Sequence, residues 1–493
     1  MRKRLRTINA FDRRLVQRTA RLRPTPADQM LRSLSLSANH SRLWMGIAAV
    51  LFVAGGRAQR RGAVRGLAAV SLASGVANGV AKPLFPRRRP PVEAVPLLRR
   101  LVKPPVSSSF PSGHAASAAA FTTAVALESP GTAAVIAPLA VAVAYSRVHI
   151  GVHWPSDVVA GAALGSGVAL ATRRWWAVRD DEPATLGPSK RTEPLPQGRG
   201  LLFVVNPSSG TDDGGELADL LRGRLPEAQI LELEGDIDLA AELDTRVQGG
   251  DVAALGVLGG DGTVSTVAEA AVRHNLPLAV FAGGTLNHFA RDIGVEDPAT
   301  TLAALDSGQL VLVDTARVRL DDAAERTFIN TASLGGYPDF VRLRERWERR
   351  IGKWPAAGIA MLCVLFRAQP LHATLDGKHS ALWMLFLGNG AYHPADQIPM
   401  SRPRIHDGTL DVRYLRADLR FSRLRLIFAT FTGTLNRSDT YVHQRVGRLN
   451  VQVDGAPVSL ATDGEVNHTA ERLDFASQPA SLAVFRELDA DEQ

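Results

Sequence analysis

The chain is poor in sulfur and in long apolar runs. One cysteine in 493 residues, Cys363, excludes an intrachain disulfide, and nothing demands an oxidising compartment. It lies in the apolar run Met361-Leu362-Cys363-Val364-Leu365, where a buried thiol is expected. Zinc-ligand spacing, base-stacking motifs and a recognition-helix pattern are all missing. The formal charge of +8 therefore implies an anionic lipid partner and no nucleic acid. A Walker lysine and a dinucleotide fingerprint are also missing. So is a cleavable secretory signal, because no apolar core directly follows the charged first residues.

The charge is concentrated at the front. Arg2, Lys3, Arg4, Arg6, Arg13, Arg14, Arg18, Arg21 and Arg23 alternate with Leu5, Ile8, Leu15 and Leu22 at helical spacing. A cationic amphipathic helix of this kind lies on an anionic membrane surface; a basic disordered tail is the alternative. Weakly apolar stretches follow at about 43–56, 64–81, 115–128, 131–146 and 158–172. Each is short against the ~20 apolar residues a spanning helix needs, and each alone suits a buried helix of a soluble bundle. Five in succession favour the membrane. Gly75, Gly79, Gly161 and Gly165 are expected to let those helices approach closely.

Three basic clusters sit where these stretches begin or end: Lys82 with Arg89-Pro90, then Pro111-Ser112-Gly113-His114, then Ser146-Arg147 with His153 and Asp157. Cationic side chains can hold a phosphoryl group while one neutral imidazole attacks phosphorus and a second, protonated one gives its proton to the leaving oxygen. The chemistry implied is phosphomonoester cleavage without a metal. Asp157 follows His153 by four residues, so on a helix its carboxylate reaches the imidazole and fixes the tautomer. The three clusters match the signature of the type 2 phosphatidic acid phosphatases, relatives of vanadium haloperoxidases, without a substitution, and residues 40–175 resemble that family. The resemblance implies His153 as nucleophile, His114 as general acid, Asp157 as orienter of His153, and Lys82, Arg89, Ser112, Gly113 and Arg147 as phosphate binders, with no cofactor.

Residues 176–199 turn rich in proline, glycine and charge and read as a linker. Beyond them, the apolar run Leu201–Val205 ends in Asn206-Pro207-Ser208-Ser209-Gly210, the run at 253–258 ends in Gly259-Gly260-Asp261-Gly262-Thr263, and the run at 278–281 ends in Gly283-Gly284-Thr285-Leu286-Asn287. Three strands with three Gly-rich turns predict one parallel sheet with its loops along the carboxyl edge. Glycine there lets backbone N–H groups meet phosphate at a helix start.

From about 200 to 486 the chain resembles the diacylglycerol kinase catalytic family, which includes sphingosine kinases. The resemblance implies ATP cradled by Asn206, Pro207, Gly210, Gly259, Gly260, Asp261, Gly262, Thr263, Gly284, Thr285 and Asn287, with Asp261 toward the phosphates and Mg²⁺. Asp463-Gly464-Glu465 is similar to the family's Asp-Gly-Glu, which makes Asp463 the candidate base for the acceptor hydroxyl and Glu465 its supporting carboxylate. Asp407 and Asp411 fall where the family organises a structural metal; a solvated turn is the other reading. One departure stands out: His288 precedes Phe289-Ala290-Arg291 where many members carry Asp.

After residue 316, short alternating strands at 382–388, 409–414 and 447–453 predict an antiparallel β-sandwich. The basic-to-apolar stretch 340–366 suits docking on anionic membrane or, equally, a solvated face over a core. The expected architecture is multi-domain: a basic amphipathic segment (1–40), an all-α membrane helix bundle (41–175), a linker (176–199), an α/β ATP-binding domain (200–315), an antiparallel β-sandwich lipid-binding domain (316–486) and a tail (487–493).

If each of the last four bundle helices crosses the membrane, the three clusters share one face and residue 175 leaves on the other. A kinase needs ATP, which places its domain in the cytoplasm and the phosphatase pocket on the opposite side of a multi-pass protein; Arg87, Arg88, Arg99, Arg100 and Lys103 beside the pocket run against the positive-inside rule.

The function expected is a bifunctional lipid enzyme, a phosphatase for phosphatidate, its lyso form or polyprenyl phosphate joined to an ATP- and Mg²⁺-dependent kinase for diacylglycerol, a sphingoid base or a polyprenol. Alternatives are that one half alone is catalytic and the other senses lipid or tethers, or that the chain is a membrane scaffold.

Overall fold

The structure, a computed structural model, describes residues 2–91, 93, 95–101, 105–178, 183–207, 214–233, 237–284, 287–321, 325–336, 369–395, 399 and 401–488. Gly210, Thr285, Lys103, Cys363 and the stretch 340–366 lie outside the described residues. Two compact units are present, Met1–Asp181 and Glu182–Gln493.

The first unit is helical: Arg2–Ala20, Pro26–Ser37, Arg42–Ala54, Arg57–Gly75, Gly113–Glu128, Pro130–His149 and Pro155–Ala171, with the fourth continued through a π-helical turn to Leu84. Proline opens three of these helices at Pro26, Pro130 and Pro155, where the missing N–H costs nothing. Asp28 closes the start of the second by accepting the Thr25 N–H at 3.1 Å. An Ala-rich core is filled out by Trp44 and Phe121, both fully buried, with ring centroids 5.3 Å apart.

Two glycines set the tightest helix crossing. A Cβ at Gly161 would lie 2.3 Å from the Ser112 carbonyl oxygen, and one at Gly165 would lie 2.0 Å from that of Ala116, so Pro155–Ala171 meets Gly113–Glu128 backbone to backbone. Gly75 and Gly79, expected to act in the same way, face open space, with no atom of the described residues within 4 Å of a Cβ placed there.

Among the described residues, two helices are long and apolar enough to cross a membrane, Arg57–Leu84 and Pro130–His149. The other expected crossings fall on helices of 13, 16 and 17 residues, about 20–25 Å at 1.5 Å per residue and short of a ~30 Å hydrocarbon core. The outer surface of the helices, long and short, carries exposed apolar side chains, among them Val50, Phe52, Val53, Leu72, Val80, Val135, Val141 and Val159.

The second unit is α/β with a mixed sheet. Strands Gln229–Glu232, Leu201–Val205, Ala254–Gly259 and Leu278–Ala282 run parallel in that spatial order, and Arg472–Phe485 joins parallel to Leu278–Ala282. All five residues of Leu201–Val205 are buried, which is why the sequence there is continuously apolar. The remaining strands pair antiparallel, among them Lys378–Asn389 with Leu410–Arg416 and Arg448–Val453 with Arg472–Phe485, around a core that includes Val318, Phe328, Leu385, Val451 and Phe475.

Two expected boundaries are corrected. The cut near residue 315 falls inside strand Gln309–Leu320, which pairs along its length with Arg472–Phe485, so the parallel and antiparallel parts share long strands and one hydrogen-bonded path. The linker expected at 176–199 is also partly structural. Ser189–Arg191 pairs antiparallel with Gln309–Val311, and Thr185 bridges to Arg404. Edge pairing uses backbone groups that a Pro- and charge-rich sequence still supplies.

Candidate active sites

In the first unit the three basic clusters come together. Arg89 donates through Nη1 to the Val152 carbonyl at 2.6 Å and lies 3.5 Å from His153 Nε2. Arg147, at the end of its helix, is buried and donates to Ser35 Oγ; among the described residues its Nε has no hydrogen-bond partner, an orphan buried donor of the kind an anion satisfies. Ser112 caps the helix that carries Gly113 and His114, accepting the Ala115 N–H at 3.4 Å. Lys82 Nζ reaches Asn78 Oδ1 at 2.7 Å, and that Asn78 oxygen lies 3.5 Å from where a Cβ on Gly113 would be. His114 stands within electrostatic range of Arg147, His153, Lys82 and Arg89.

His153 is 2% exposed. Burial lowers its pKa to about 4; the Asp157 carboxylate opposes this, and the nearby Arg147 and Arg89 add to it. At neutral pH the imidazole is uncharged. Its Nδ1–H donates to the Ser109 carbonyl at 2.7 Å, which leaves the Nε2 lone pair turned toward Arg89 Nη1 across a long 3.5 Å contact. Asp157 Oδ2 is 3.7 Å from Nδ1, beyond a hydrogen bond, so the Ser109 carbonyl sets the tautomer and the carboxylate acts through its charge. Burial also lowers the pKa of Arg89, with Asp157 opposing.

What sequence reasoning missed is the bracing around Asp157. Arg87 donates to Asp157 Oδ1 at 2.6 Å and to Asp12 Oδ2 at 2.8 Å, and Asp12 in turn accepts the Ser156 N–H and O–H at 3.0 and 2.6 Å. The amino-terminal segment therefore packs on this unit with Asp12 fully buried. Asn39 Oδ1 accepts from His114 Nε2 at 2.9 Å, and Asp28 pairs with His149 at 2.6 Å and Arg99 at 3.0 Å. One signal was available: Asp12 is the lone acid among the nine cations of the first 24 residues.

In the second unit the Gly-rich turns line the carboxyl edge of the parallel strands. Asn206 Nδ2 donates to Thr263 Oγ1 at 2.9 Å, and the Gly283 N–H donates to the Gly259 carbonyl at 3.1 Å. A Cβ on Gly284 would come within 2.7 Å of Gly260 Cα, so glycine is needed where the two turns touch. Asn287, at φ 48°, ties its own turn by accepting the Gly284 N–H at 2.8 Å. Asp261 heads the helix Asp261–His274 and accepts the backbone N–H of His288 at 2.7 Å; the His288 ring turns to Arg291, 2.9 Å away. The link from Asp261 to that turn is thus independent of the side chain at 288. Pro207 follows Asn206 at the strand end, and its further surroundings lie outside the described residues.

Asp463 and Glu465 reach this edge from a distant part of the chain. Ser265, one turn into the helix after Asp261, donates to Asp463 Oδ2, and Glu465 Oε1 lies 3.1 Å from where a Cβ on Gly262 would be. The N–H groups of Ile329, Asn330 and Thr331 complete the Asp463 carboxylate at 2.9, 2.8 and 2.9 Å. Burial raises its pKa in spite of these four donors. Arg402, not singled out from the sequence, is buried beneath: it joins Asp292 at 2.8 Å, the carbonyls of Ile329 and Asn389 at 2.6 and 3.0 Å, and Asn330 Oδ1 at 3.1 Å.

The metal expectation at Asp407 and Asp411 is corrected. Arg413 fills Asp411 from Nε and Nη2 at 2.9 and 2.8 Å, and Tyr392 N–H adds a third donor at 2.8 Å. Asp407 accepts from Thr409 Oγ1 at 2.9 Å and Ala391 N–H at 3.1 Å. A guanidinium neutralises the carboxylate that a cation was expected to hold, and no cluster of three acidic, His or Cys ligands exists among the described residues.

Residues 63–181 match the PAP2 superfamily and residues 200–318 the diacylglycerol kinase catalytic domain, so the chain carries the two in succession. A diacylglycerol kinase of Mycobacterium tuberculosis is 27% identical over 297 residues, covering 57% of this chain and 94% of the relative. An undecaprenyl-diphosphatase of Sulfolobus acidocaldarius is 37% identical over 92 residues, covering 18% of this chain and 41% of the relative. A crystal structure of a putative diacylglycerol kinase from Bacillus anthracis, 19% identical, covers 59% of this chain and 98% of its own with a TM-score of 0.45.

Proposed function

We propose that the chain is a bifunctional membrane enzyme, a metal-independent lipid phosphate phosphatase joined to an ATP-dependent kinase of diacylglycerol or a similar lipid alcohol. The phosphatase reading rests on one observation, the Nε2 lone pair of a neutral His153 turned toward Arg89 with the orphan donor of Arg147 in range. His153 Nε2 attacks phosphorus and the bond to the lipid oxygen breaks; His114, its pKa lowered to about 3 by burial and by Arg147, His153, Lys82 and Arg89, takes up a proton against the negative charge of the bound phosphoryl group and gives it to that oxygen. Water then attacks the phosphohistidine, returns a proton to His114 and releases phosphate. Lys82, Arg89, Arg147 and the Ser112–Gly113 turn hold the phosphoryl oxygens throughout. The apolar outer surface of the first unit, with its two bilayer-length helices, supports the membrane setting.

For the kinase, the supporting observation is the arrival of Asp463 and Glu465 at the Asp261 turn, about two hundred residues away in sequence. The glycine turns present backbone N–H groups to the nucleotide phosphates, and Asp261 is the carboxylate placed for the Mg²⁺ that the nucleotide brings. That ion would neutralise charge on the transferring phosphoryl group. Asp463, with its raised pKa, exchanges the Ser265 hydroxyl for the hydroxyl of the lipid and takes its proton. The antiparallel strands, read as a folded-over sandwich, hold the lipid.

Purified protein should release phosphate from phosphatidate in EDTA, and His153→Ala should lose at least ~10³-fold of that rate. With labelled ATP and diacylglycerol, Asp463→Asn should lose ~10²-fold or more while Glu465→Gln loses less. A larger loss in Glu465→Gln would transfer the base to that residue.

A further inference from the structure

The antiparallel part of the second unit carries a helix whose outer face nothing covers among the described residues of that unit. Ser422–Thr432 is pinned from one side: Ser422 is buried, accepts the Trp383 Nε1–H at 3.2 Å and donates to the Ala417 carbonyl at 3.2 Å, and Ala429 is buried one face-turn on. The opposite side is apolar and open. Phe421 is 62% exposed, Leu424 62%, Ile427 37% and Phe428 67%, and the 3- and 4-residue spacings from 421 to 424 to 428 put them on one stripe. A row of this size at the surface of a soluble fold marks an interaction site.

Charge names the partner. Residues 420–437 hold four arginines, Arg420, Arg423, Arg425 and Arg437, and no acid. Arg420 lies over the Phe421 ring at 5.0 Å and Arg423 over the Trp383 indole at 4.4 Å, so two of the cations are stacked at the border of the stripe; Arg425, beside it, has Asp439 only at 3.9 Å. Apolar side chains rimmed by arginine, with Asp439 the acid at the edge and none between residues 420 and 437, complement a layer of acyl chains under anionic headgroups. A protein partner burying the same stripe would have to supply several acidic groups around an apolar centre.

We propose that Phe421, Leu424, Ile427 and Phe428 insert into an anionic lipid surface and that the surrounding arginines hold the kinase unit there. The inference deepens the kinase reading above, since it states how that unit meets a water-insoluble acceptor, and it is tested apart from phosphotransfer.

The full chain carrying Cys363→Ser and Phe428→Cys, labelled with a polarity-sensitive bimane, is placed in lipid nanodiscs made with and without phosphatidylglycerol. In anionic discs the label should be quenched by doxyl-lipid and shielded from aqueous iodide. Neutral discs, or the triple change Arg420→Glu, Arg423→Glu, Arg425→Glu, should reduce lipid quenching by about tenfold or more.

A label open to iodide in anionic discs overturns the proposal. So does a label shielded from both quenchers, which would mean that a second copy or another segment of this chain covers the stripe. Phosphorylation of a detergent-dispersed, short-chain diacylglycerol is measured on the same samples. Lipid quenching without phosphotransfer sinks the kinase reading and leaves the docking face standing; phosphotransfer without lipid quenching does the reverse.

Discussion

At the level of single residues, the protonation of the proposed nucleophile decides the acid side of the proposed phosphatase reaction. His153 has its pKa lowered from 6.5 to about 4, so the imidazole is neutral across the physiological range and gains its proton only when pH falls toward 4. The same shift has a stability consequence: the unfolded chain takes up the proton first, so this contribution is full above about pH 6.5 and drains away as pH falls toward about 4. The acid limb of kcat/KM for phosphatidate should therefore lie near pH 4. Arg89→Gln removes a cation that depresses the imidazole and should move the limb upward, whereas Asp157→Asn removes the carboxylate that supports the imidazolium and should move it downward. Both variants will be slow, so the readout is the position of the limb in a pH series; limbs that do not move in opposite directions would refute the charge account. His153, Asp157 and Arg89 were legible in the sequence because their spacing carries the chemistry. Arg87, Ser109 and Arg402 were not, because each earns its place through partners 44 to 110 residues away, a relation that no local pattern records.

Between elements, the crossing of Pro155–Ala171 over Gly113–Glu128 holds the start of the His114 helix against the helix that follows His153, with the Ser112 N–H on the Asp157 carbonyl at 3.0 Å, and glycine is what permits it. A methyl group at Gly161 would meet the Ser112 carbonyl at 2.3 Å, and that carbonyl accepts the Ala116 N–H at 3.0 Å in the first turn of the His114 helix. Gly161→Ala should thus part the helices, lower stability by ~1–3 kcal/mol and depress phosphate release beyond what the stability change accounts for. Gly75→Ala, on a helix face with open space, should raise stability by up to about 1 kcal/mol and leave activity alone. Thermal unfolding in detergent beside a phosphate-release assay separates the two, and equal behaviour of the pair would contradict the close crossing. Both glycines look alike in the sequence, since helix period shows which residues share a face and not what that face meets. The buried strands were legible for the opposite reason: Leu201–Val205 and Ala254–Gly259 are apolar on both sides and end in glycine turns that only a loop at a sheet edge requires. The linker and the cut at 315 misled because edge pairing by Ser189–Arg191 and the shared strand Gln309–Leu320 depend on backbone hydrogen bonds, to which composition is blind.

For the whole molecule, the two proposed reactions are opposed. The kinase moves a phosphoryl group from ATP to diacylglycerol, and the phosphatase moves the same group from phosphatidate to water, so their sum is hydrolysis of ATP with the lipid regenerated. A bilayer can keep the reactions apart by leaflet; a detergent micelle, which has no leaflets, cannot. Micellar wild-type protein given ATP, Mg²⁺ and a limiting amount of diacylglycerol should therefore release phosphate continuously, well past one equivalent of the lipid supplied, while phosphatidate stays low. His153→Ala should convert the lipid to phosphatidate and stop after one equivalent of ATP; Asp463→Asn should neither consume ATP nor form phosphatidate, yet still dephosphorylate added phosphatidate. Each unit has its own core and its own convergent site, which is why one substitution should silence one reaction without the other. Phosphatidate accumulating equally in wild type and His153→Ala would show that the phosphatase takes a different lipid, and the two units would then serve separate substrates instead of one phosphoryl group.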